Sequence, residues 1–424
     1  MKKILLISHS GFSNTDANGI TIKNLLSAFP AEQKAEFYRD VQSADYDAAH
    51  NYFRVTDMQM MKALIGKQSR HTFSYLQYEK KQEKTQTVHA ERKIPLWMKR
   101  LKHSFLMKYI REWLWCVSPW GHRELSAWIR EISPDILVYM VGESLYMDKL
   151  VMQVQHDLKK PLVLYNGESY RIIDIKKRRG LAQAYYRKCE RLYKQLSACA
   201  SLIIYNSEML QRDFEAIYPR RGEAMVAYNS AQSLGKSYCP GDKMNITYFG
   251  NLGVGRGDSL LEVAEILRDI NPELRLDIYG NAMPELAEKY SRCENIRYHG
   301  FVNAQQLRDI MDASDILLHV ESFDAVIAPR LKYAFSTKIA QCLQAGRCFV
   351  SYAPAGSASS EYLKNSNGAI LVSDIAKLRS VMRELIENPV LRTQWANRAA
   401  ECGRKNHDLQ ETAQSVKRAI ENIA

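Results

Sequence analysis

Ten short runs rich in Val, Ile, Leu and Tyr, separated by stretches of helical spacing, constrain this chain more than any other feature. They lie at 2–8, 135–141, 161–166, 201–206, 244–250, 274–280, 295–301, 315–320, 347–352 and 368–372. Segments such as SLLEVAEILRDI and AQQLRDIMDAS between them place apolar residues on one helical face. Strands alternating with helices predict an α/β chain with parallel sheets. A length of 424 residues allows two or three domains with proper cores. The stretch NSAQSLGKSYCPGDK, 229–243, is polar and aperiodic, and a fresh strand–loop–helix unit begins after it at Met244, as one does at Lys2. The expected organisation is therefore a first domain over 1–228, a linker over 229–243 and a second domain over 244–405. Both domains should be Rossmann-like and doubly wound, facing a central cleft beyond the carboxyl ends of their strands. The last stretch is helical, and either caps the second domain or packs back on the first.

Charge and cysteine usage narrow the setting. A formal charge of +12 points to an acidic surface, membrane or ligand. No nucleic-acid-binding module is present, so nucleic acid is not an expected partner. The eight cysteines form no C-x-x-C pair, which argues against zinc and a disulfide framework and for a cytoplasmic setting. The opening MKKILLISHS has too short an apolar run, and no cleavage site, for a signal peptide, and reads as a buried strand.

Two places in the second domain suggest an anion site. The turn GNLGVGRGDSLL carries Gly253 and Gly255, which allow a phosphate to approach the backbone at a helix start, and Arg256, which can add paired hydrogen bonds. In FSTKIAQCLQAG, Lys338 follows Ser336 and Thr337 at the start of a helix, where the dipole disfavours a cation. A bound diphosphate would reverse that local charge. Both segments follow strands of the same domain.

The arrangement GNLGVGRG, YHGFV, ESF, STKIAQCLQAGRCFV resembles the nucleotide-sugar-binding domain of family 4-like glycosyltransferases of the GT-B fold, in particular bacterial enzymes of surface-polysaccharide assembly. The likeness covers about 244–405 and, more loosely, the first domain. It implies that Arg256, Ser336, Thr337 and Lys338 contact the donor diphosphate. Asn281 and Phe301 match positions that hold the nucleoside. Glu321 matches the first glutamate of the family's E-x7-E motif, near the donor sugar. The chain departs at the second: Pro329 stands eight residues on, and Gln341 occupies the place counted back from Gly346. An amide there can still bond a ribose hydroxyl. The resemblance also implies that 406–424 crosses back to the first domain.

In the first domain, the resemblance implies that the turn SHSGFSNTDANGITIKNLL borders the cleft at Gly11, Asn18, Gly19 and Thr21, with acceptor or diphosphate nearby. Two strands end in Gly-Glu-Ser, giving Glu143 and Glu168, either of which can bind sugar hydroxyls, act as a base or simply open a helix. Glu168 is preferred, since the resembled family places an acceptor-side polar residue on its strand, and with Glu321 it is the expected catalytic group, Glu143 remaining an acceptor-side residue. Residues 92–111 hold seven Lys/Arg and no acid, with aromatic residues at helical spacing. This predicts a basic amphipathic helix against an anionic membrane, through Trp97, Lys99, Arg100, Lys102, Phe105 and Lys108; a core-packed helix with a solvated basic back is the alternative. The pair Asp45 and Asp47 in DYD follows no convincing strand, and no metal site or cofactor is expected.

The resulting expectation is a metal-independent, retaining glycosyltransferase, cytoplasmic and peripheral at the inner face of the membrane. It would move a sugar from a nucleoside diphosphate sugar to a saccharide, free or on a polyprenyl diphosphate. A nucleotide-sugar epimerase and a non-catalytic partner subunit are the alternatives.

Overall fold

Runs such as Ile4–Ile7 and Leu202–Tyr205 are buried at every residue, as a parallel sheet covered by helices on both faces requires. A computed structural model describes residues 2–40, 44–67, 71–74, 104–172, 175–241 and 243–423. The chain divides into two units. One comprises 1–206, 210–227 and 413–424, the other 207–209 and 228–412.

The strands of the first unit are β1 (Ile4–Ile7), β2 (Lys34–Tyr38), β3 (Asn51–Arg54), β4 (Thr72–Ser74), β5 (Ile136–Met140), β6 (Leu162–Asn166), β7 (Leu202–Tyr205) and β8 (Glu223–Val226). They form one sheet in the order β4-β3-β2-β1-β5-β6-β7-β8, parallel except where β4 runs antiparallel to β3. The second unit has β9 (Ile246–Phe249), β10 (Leu276–Tyr279), β11 (Ile296–Gly300), β12 (Ile316–Val320), β13 (Cys348–Tyr352) and β14 (Ile370–Val372). Its order is β11-β10-β9-β12-β13-β14, all parallel. Each sheet reverses its winding beside its first strand, between β1 and β5 and between β9 and β12. These are the crevices in which doubly wound folds bind ligands. Two Rossmann-like units are thus present.

All ten predicted runs contain strands, and among the described residues four further strands lack the apolar signature. β2 is the instructive one. Its Lys34 and Glu36 are buried, and each finds a partner far along the chain. Lys34 Nζ donates to the Leu26 carbonyl at 3.2 Å. Glu36 accepts from the Phe12 N–H at 3.2 Å and lies 3.3 Å from Ser8 Oγ, which ties down the turn after β1. Burial raises the Glu36 pKa to about 8 against those hydrogen bonds.

The last helix, Leu409–Asn422, joins the first unit from Ala413 onward, with Val416 and Ile420 buried in the core that holds Ile4 and Val138. Lys2 Nζ donates to the Glu421 carbonyl at 2.9 Å. Residues of the 229–243 stretch pack within the second unit: the Leu234 N–H donates to the Gln344 carbonyl at 3.3 Å, and Tyr238 Oη to Asp315 Oδ1 at 2.7 Å.

Candidate functional site

In the second unit, the turn after β9 meets the ends of β12 and of the helix Thr337–Ala345. Gly250 has φ +119°, and a Cβ there would lie 1.9 Å from Lys338 Cε, so glycine is what lets the lysine lie along the turn. Lys338 is buried. Its Nζ donates to Tyr248 Oη at 2.9 Å and lies 4.9 Å from that ring's centre. Tyr248 Oη in turn donates to the Asn251 carbonyl at 2.8 Å, fixing the glycine turn. Burial, with the charge of Arg256 adding to it, brings the Lys338 pKa down to about 7.

Gly255 carries φ +76° just before the helix Arg256–Ile270, and a Cβ there would strike Ser322 Oγ at 2.3 Å. Arg256 then meets Glu321 as a two-pronged fork: Nε to Oε2 and Nη2 to Oε1, both 2.9 Å. His319, wholly buried, places Nε2 3.3 Å from Glu321 Oε1 and Nδ1 2.9 Å from Ser351 Oγ. Burial opposes ionisation of Glu321, but His319 and the Arg256 fork outweigh it and hold the carboxyl at about 2. Burial also depresses His319, whose Nε2 completes no hydrogen bond, so Arg256 is the countercharge.

The expected phosphate-binding groups are thus gathered at one switch point, with one difference. Arg256 and Glu321 face each other instead of standing apart as phosphate and sugar contacts, because two ionised groups brought this close in a dry site satisfy each other. Ser336 occupies the N-cap with no side-chain bond to its helix, so its hydroxyl is not drawn into capping. Thr337 opens that helix, and Gln341 lies one turn beyond Lys338. Gly253 donates to Asn251 Oδ1 at 2.7 Å. Asn281 is exposed after β10, and Phe301 is 67% exposed after β11.

The first unit has a cavity of about 250 Å³ at its own switch point, lined from the ends of β1, β5 and β6. Asn18, Glu143 and Glu168 line it, as does His9, which the sequence reading did not single out. Gly11, Gly19 and Thr21 do not. Gly11 and Gly19 are packing glycines: a Cβ on Gly19 would lie 2.5 Å from the Gly11 carbonyl oxygen. Thr21 Oγ1 donates to the Ala17 carbonyl at 2.9 Å inside its own helix.

The helix Phe105–Val117 corrects the expected membrane face. Trp97, Lys99, Arg100 and Lys102 lie outside the described residues. Phe105 packs edge-on against Tyr185 and Tyr186, at 6.1 and 5.4 Å between ring centres. Lys108 pairs with Glu143 at 2.8 Å. That side of the helix is turned to the protein, because Tyr185 and Tyr186 offer aromatic faces there. The outward side carries Leu106, Met107, Ile110, Trp113 and Val117 instead, with Trp113 61% exposed. Asp45 and Asp47 both lie against Lys23, at 3.3 and 3.4 Å. Among the described residues no cluster of three His, Cys, Asp or Glu is placed to hold a metal ion.

Comparison with known proteins accords with this geometry. Residues 259–418 match the family model described as glycosyl transferase-like. No curated protein sequence matches the chain. Among solved structures, Anabaena Alr3699/HepE in complex with UDP is 14% identical, with 99% of this chain and 100% of that one covered and a TM-score of 0.64. The chain has the GT-B fold. Sucrose-phosphate synthase from Thermosynechococcus elongatus shares the fold at 12% identity and a TM-score of 0.64, covering 100% of this chain and 99% of that one. WaaG, described as a glycosyltransferase involved in lipopolysaccharide biosynthesis, shares it at 12% identity and a TM-score of 0.60, with 99% of each chain covered. At such identities the GT-B likeness speaks for the fold, and the chemistry must be argued from this chain's residues.

Proposed function

We propose that this protein is a glycosyltransferase that moves a sugar from a nucleoside diphosphate sugar to a saccharide acceptor in surface-polysaccharide assembly. The observation that carries the reading is Lys338, a buried cation threaded past Gly250 beside Arg256 at the switch point of the second unit. A lone buried cation is costly unless an anion meets it. A diphosphate would, and the complexes of the Anabaena protein with UDP and with UDP-glucose supply the precedent of a nucleotide-bearing relative in fold.

In the transfer, the bond between the sugar's anomeric carbon and the diphosphate oxygen breaks, and an acceptor hydroxyl oxygen bonds to that carbon and loses its proton. Charge builds on the departing diphosphate. Lys338, protonated once the anion is beside it, and Arg256 would stabilise that charge without a metal ion. Ser336 and Thr337 add hydroxyl donors, and Gly253 and Gly255 leave the backbone open to phosphate oxygens. Glu321, oriented by His319 and Arg256, would hold the donor sugar. Asn281, Phe301 and Gln341 would face the nucleoside. In the first unit Glu168, whose pKa burial raises, suits contact with the acceptor hydroxyl. The family resemblance favours retention of configuration.

We place the enzyme at the cytoplasmic face of the membrane as a peripheral protein, with lipid-linked saccharides as acceptors. The outward face of Phe105–Val117, and the exposed Met58, Met61 and Ile65 of the helix Asp57–Leu64 and its end, whose Asp57 accepts from Arg111 and Trp115, supply apolar contact, with Lys62 and Lys67 among them. No described helix is long and apolar enough to cross a membrane.

The deciding experiment is calorimetry with UDP, GDP and ADP on the wild type and Lys338→Ala. Tight binding of one nucleotide, lost in the variant, supports the reading; binding of none overturns it. Nucleotide binding without transfer to any saccharide would favour a non-catalytic partner subunit, which the glutamine at Gln341 keeps in view.

A further inference from the structure

The buried groups around Glu321 hold one polar atom more than they pair. Arg256 occupies both carboxylate oxygens, Nε on Oε2 and Nη2 on Oε1, at 2.9 Å each. His319 Nε2 lies 3.3 Å from the same Oε1, sealed from solvent, and completes no hydrogen bond. Buried polar atoms are almost always paired. An orphan beside a carboxylate that another group already holds marks a contact made in a second state of the site.

The surroundings of the ring suit that contact. His319 Nδ1 lies 2.9 Å from Ser351 Oγ, and the two residues are fully buried partners on the neighbouring strands β12 and β13. The Ser351 hydroxyl can donate to Nδ1, which leaves the hydrogen of a neutral ring on Nε2, beside Glu321. The backbone of Glu321 is fixed. Its N–H donates to the Tyr352 carbonyl at 3.1 Å, and its own carbonyl accepts from Ser259 Oγ at 3.0 Å. A change of partner therefore needs only side-chain rotation at Glu321 and Arg256.

Charge supplies the reason for the change. While the fork holds, Glu321 cancels the charge that Arg256 could offer an incoming anion, and Lys338 Nζ is left beside the Tyr248 hydroxyl at 2.9 Å. A diphosphate carries more charge and more acceptor oxygens than a carboxylate, and so competes for the guanidinium. Loss of Arg256 strips Glu321 of its countercharge in a buried site, which is costly unless another donor takes its place. His319 Nε2 is already within reach.

We propose that Arg256 changes partner when the donor binds: it leaves Glu321 for the diphosphate, and His319 closes its bond to the freed carboxylate and holds it toward the donor sugar. His319 is then a positioning residue that acts through Glu321. That the anion is a nucleoside diphosphate rests on the glycosyltransferase reading; the exchange itself needs only an anion of that charge.

The test is calorimetry of UDP, GDP, ADP and inorganic pyrophosphate on the full chain. The proteins are the wild type, Glu321→Gln, His319→Asn, His319→Gln and the double variant of Glu321→Gln with His319→Asn. Glu321→Gln removes the competing charge and keeps the shape, so it should tighten binding by about tenfold. His319→Asn keeps a polar group near Ser351 but withdraws the one beside Glu321, and should weaken binding by about tenfold. His319→Gln, whose amide reaches the Nε2 position, should restore it. In the Glu321→Gln background, His319→Asn should change affinity by less than about twofold, a coupling that packing of the ring alone does not produce. Unchanged or weaker binding in Glu321→Gln would mean that Arg256 keeps its partner, and overturns the proposal. Equal losses for His319→Asn in both backgrounds, or no recovery in His319→Gln, do the same. If the His319 variants do not fold, Glu321→Gln decides alone. A nucleotide bound without tightening in Glu321→Gln removes only this inference. Pyrophosphate bound and tightened, with no nucleotide bound, removes only the transferase reading, and no anion bound removes both.

Discussion

At the switch point of the second unit, Arg256 and Glu321 satisfy each other while Lys338 finds only the Tyr248 hydroxyl; at that of the first, a cavity is lined by Glu168 and by His9, whose Nε2 makes no hydrogen bond. The topology around both points is the same: a first strand, a long turn, and a neighbour beyond which the winding reverses. The glycines differ in purpose. Gly250 and Gly255 carry positive φ and make room for Lys338 and Ser322, whereas Gly11 leaves space for Ala44 and Tyr38 and Gly19 lets the turn after β1 pack on itself. One switch point thus gathers a charged cluster, and the other a cavity lined by His9 and Glu168. The lesson is that a doubly wound unit sets where a ligand binds, while the few side chains at the reversal set which ligand.

The comparison is broken most directly at Glu321. Glu321→Ala leaves Arg256 without its countercharge in a largely buried site, and should lower stability by about 3 kcal/mol in denaturant unfolding. Because the carboxyl is held at about 2 against its usual 4.5, its contribution is present above about pH 4.5 and is lost as the pH falls toward 2. The variant's acid unfolding should therefore be flatter over that window; an unchanged profile would mean that the fork contributes nothing.

Lys338→Met keeps the aliphatic stem and removes the cation. Nucleoside diphosphate affinity should fall about 100-fold, or roughly 2.7 kcal/mol, with melting temperature unchanged or raised.

The lysine also gives the second unit's switch point a pH signature. With its pKa near 7 in the free protein, Lys338 is mostly neutral at pH 8, and an anion beside it raises the pKa. Binding at pH 8 should therefore take up a proton, and affinity should decline as the pH rises above 7. Titrations in buffers of differing ionisation heat read the uptake directly. Arg256 stays charged and Glu321 ionised throughout, so the uptake should vanish in Lys338→Met.

The smallest expected effect lies on the surface. Trp113→Ser should weaken flotation with anionic vesicles by about tenfold, in keeping with the loss of one large apolar contact. Substituting Phe105, which packs on Tyr185 and Tyr186, should instead lower stability.

The α/β class, the ten apolar strands and the switch-point cation were all readable from residues in order. Apolar runs declare a buried strand, and a lysine at a helix start is anomalous wherever it occurs. β2 was not readable, because Lys34 and Glu36 look solvent-facing until Leu26 and Phe12 are seen to satisfy them. The outward face of Phe105–Val117 was misjudged for the same reason: helical spacing reveals a stripe, but only Tyr185 and Tyr186 decide which stripe is covered. The sequence by itself therefore determined what kinds of element form and that a cation stands at the start of one helix, since these follow from local pattern. The tertiary structure alone decided that Arg256 pairs with Glu321 across 65 positions, and that His9 Nε2 remains unpaired beside a cavity. Pairing and its absence depend on distance in space, which no local spacing encodes.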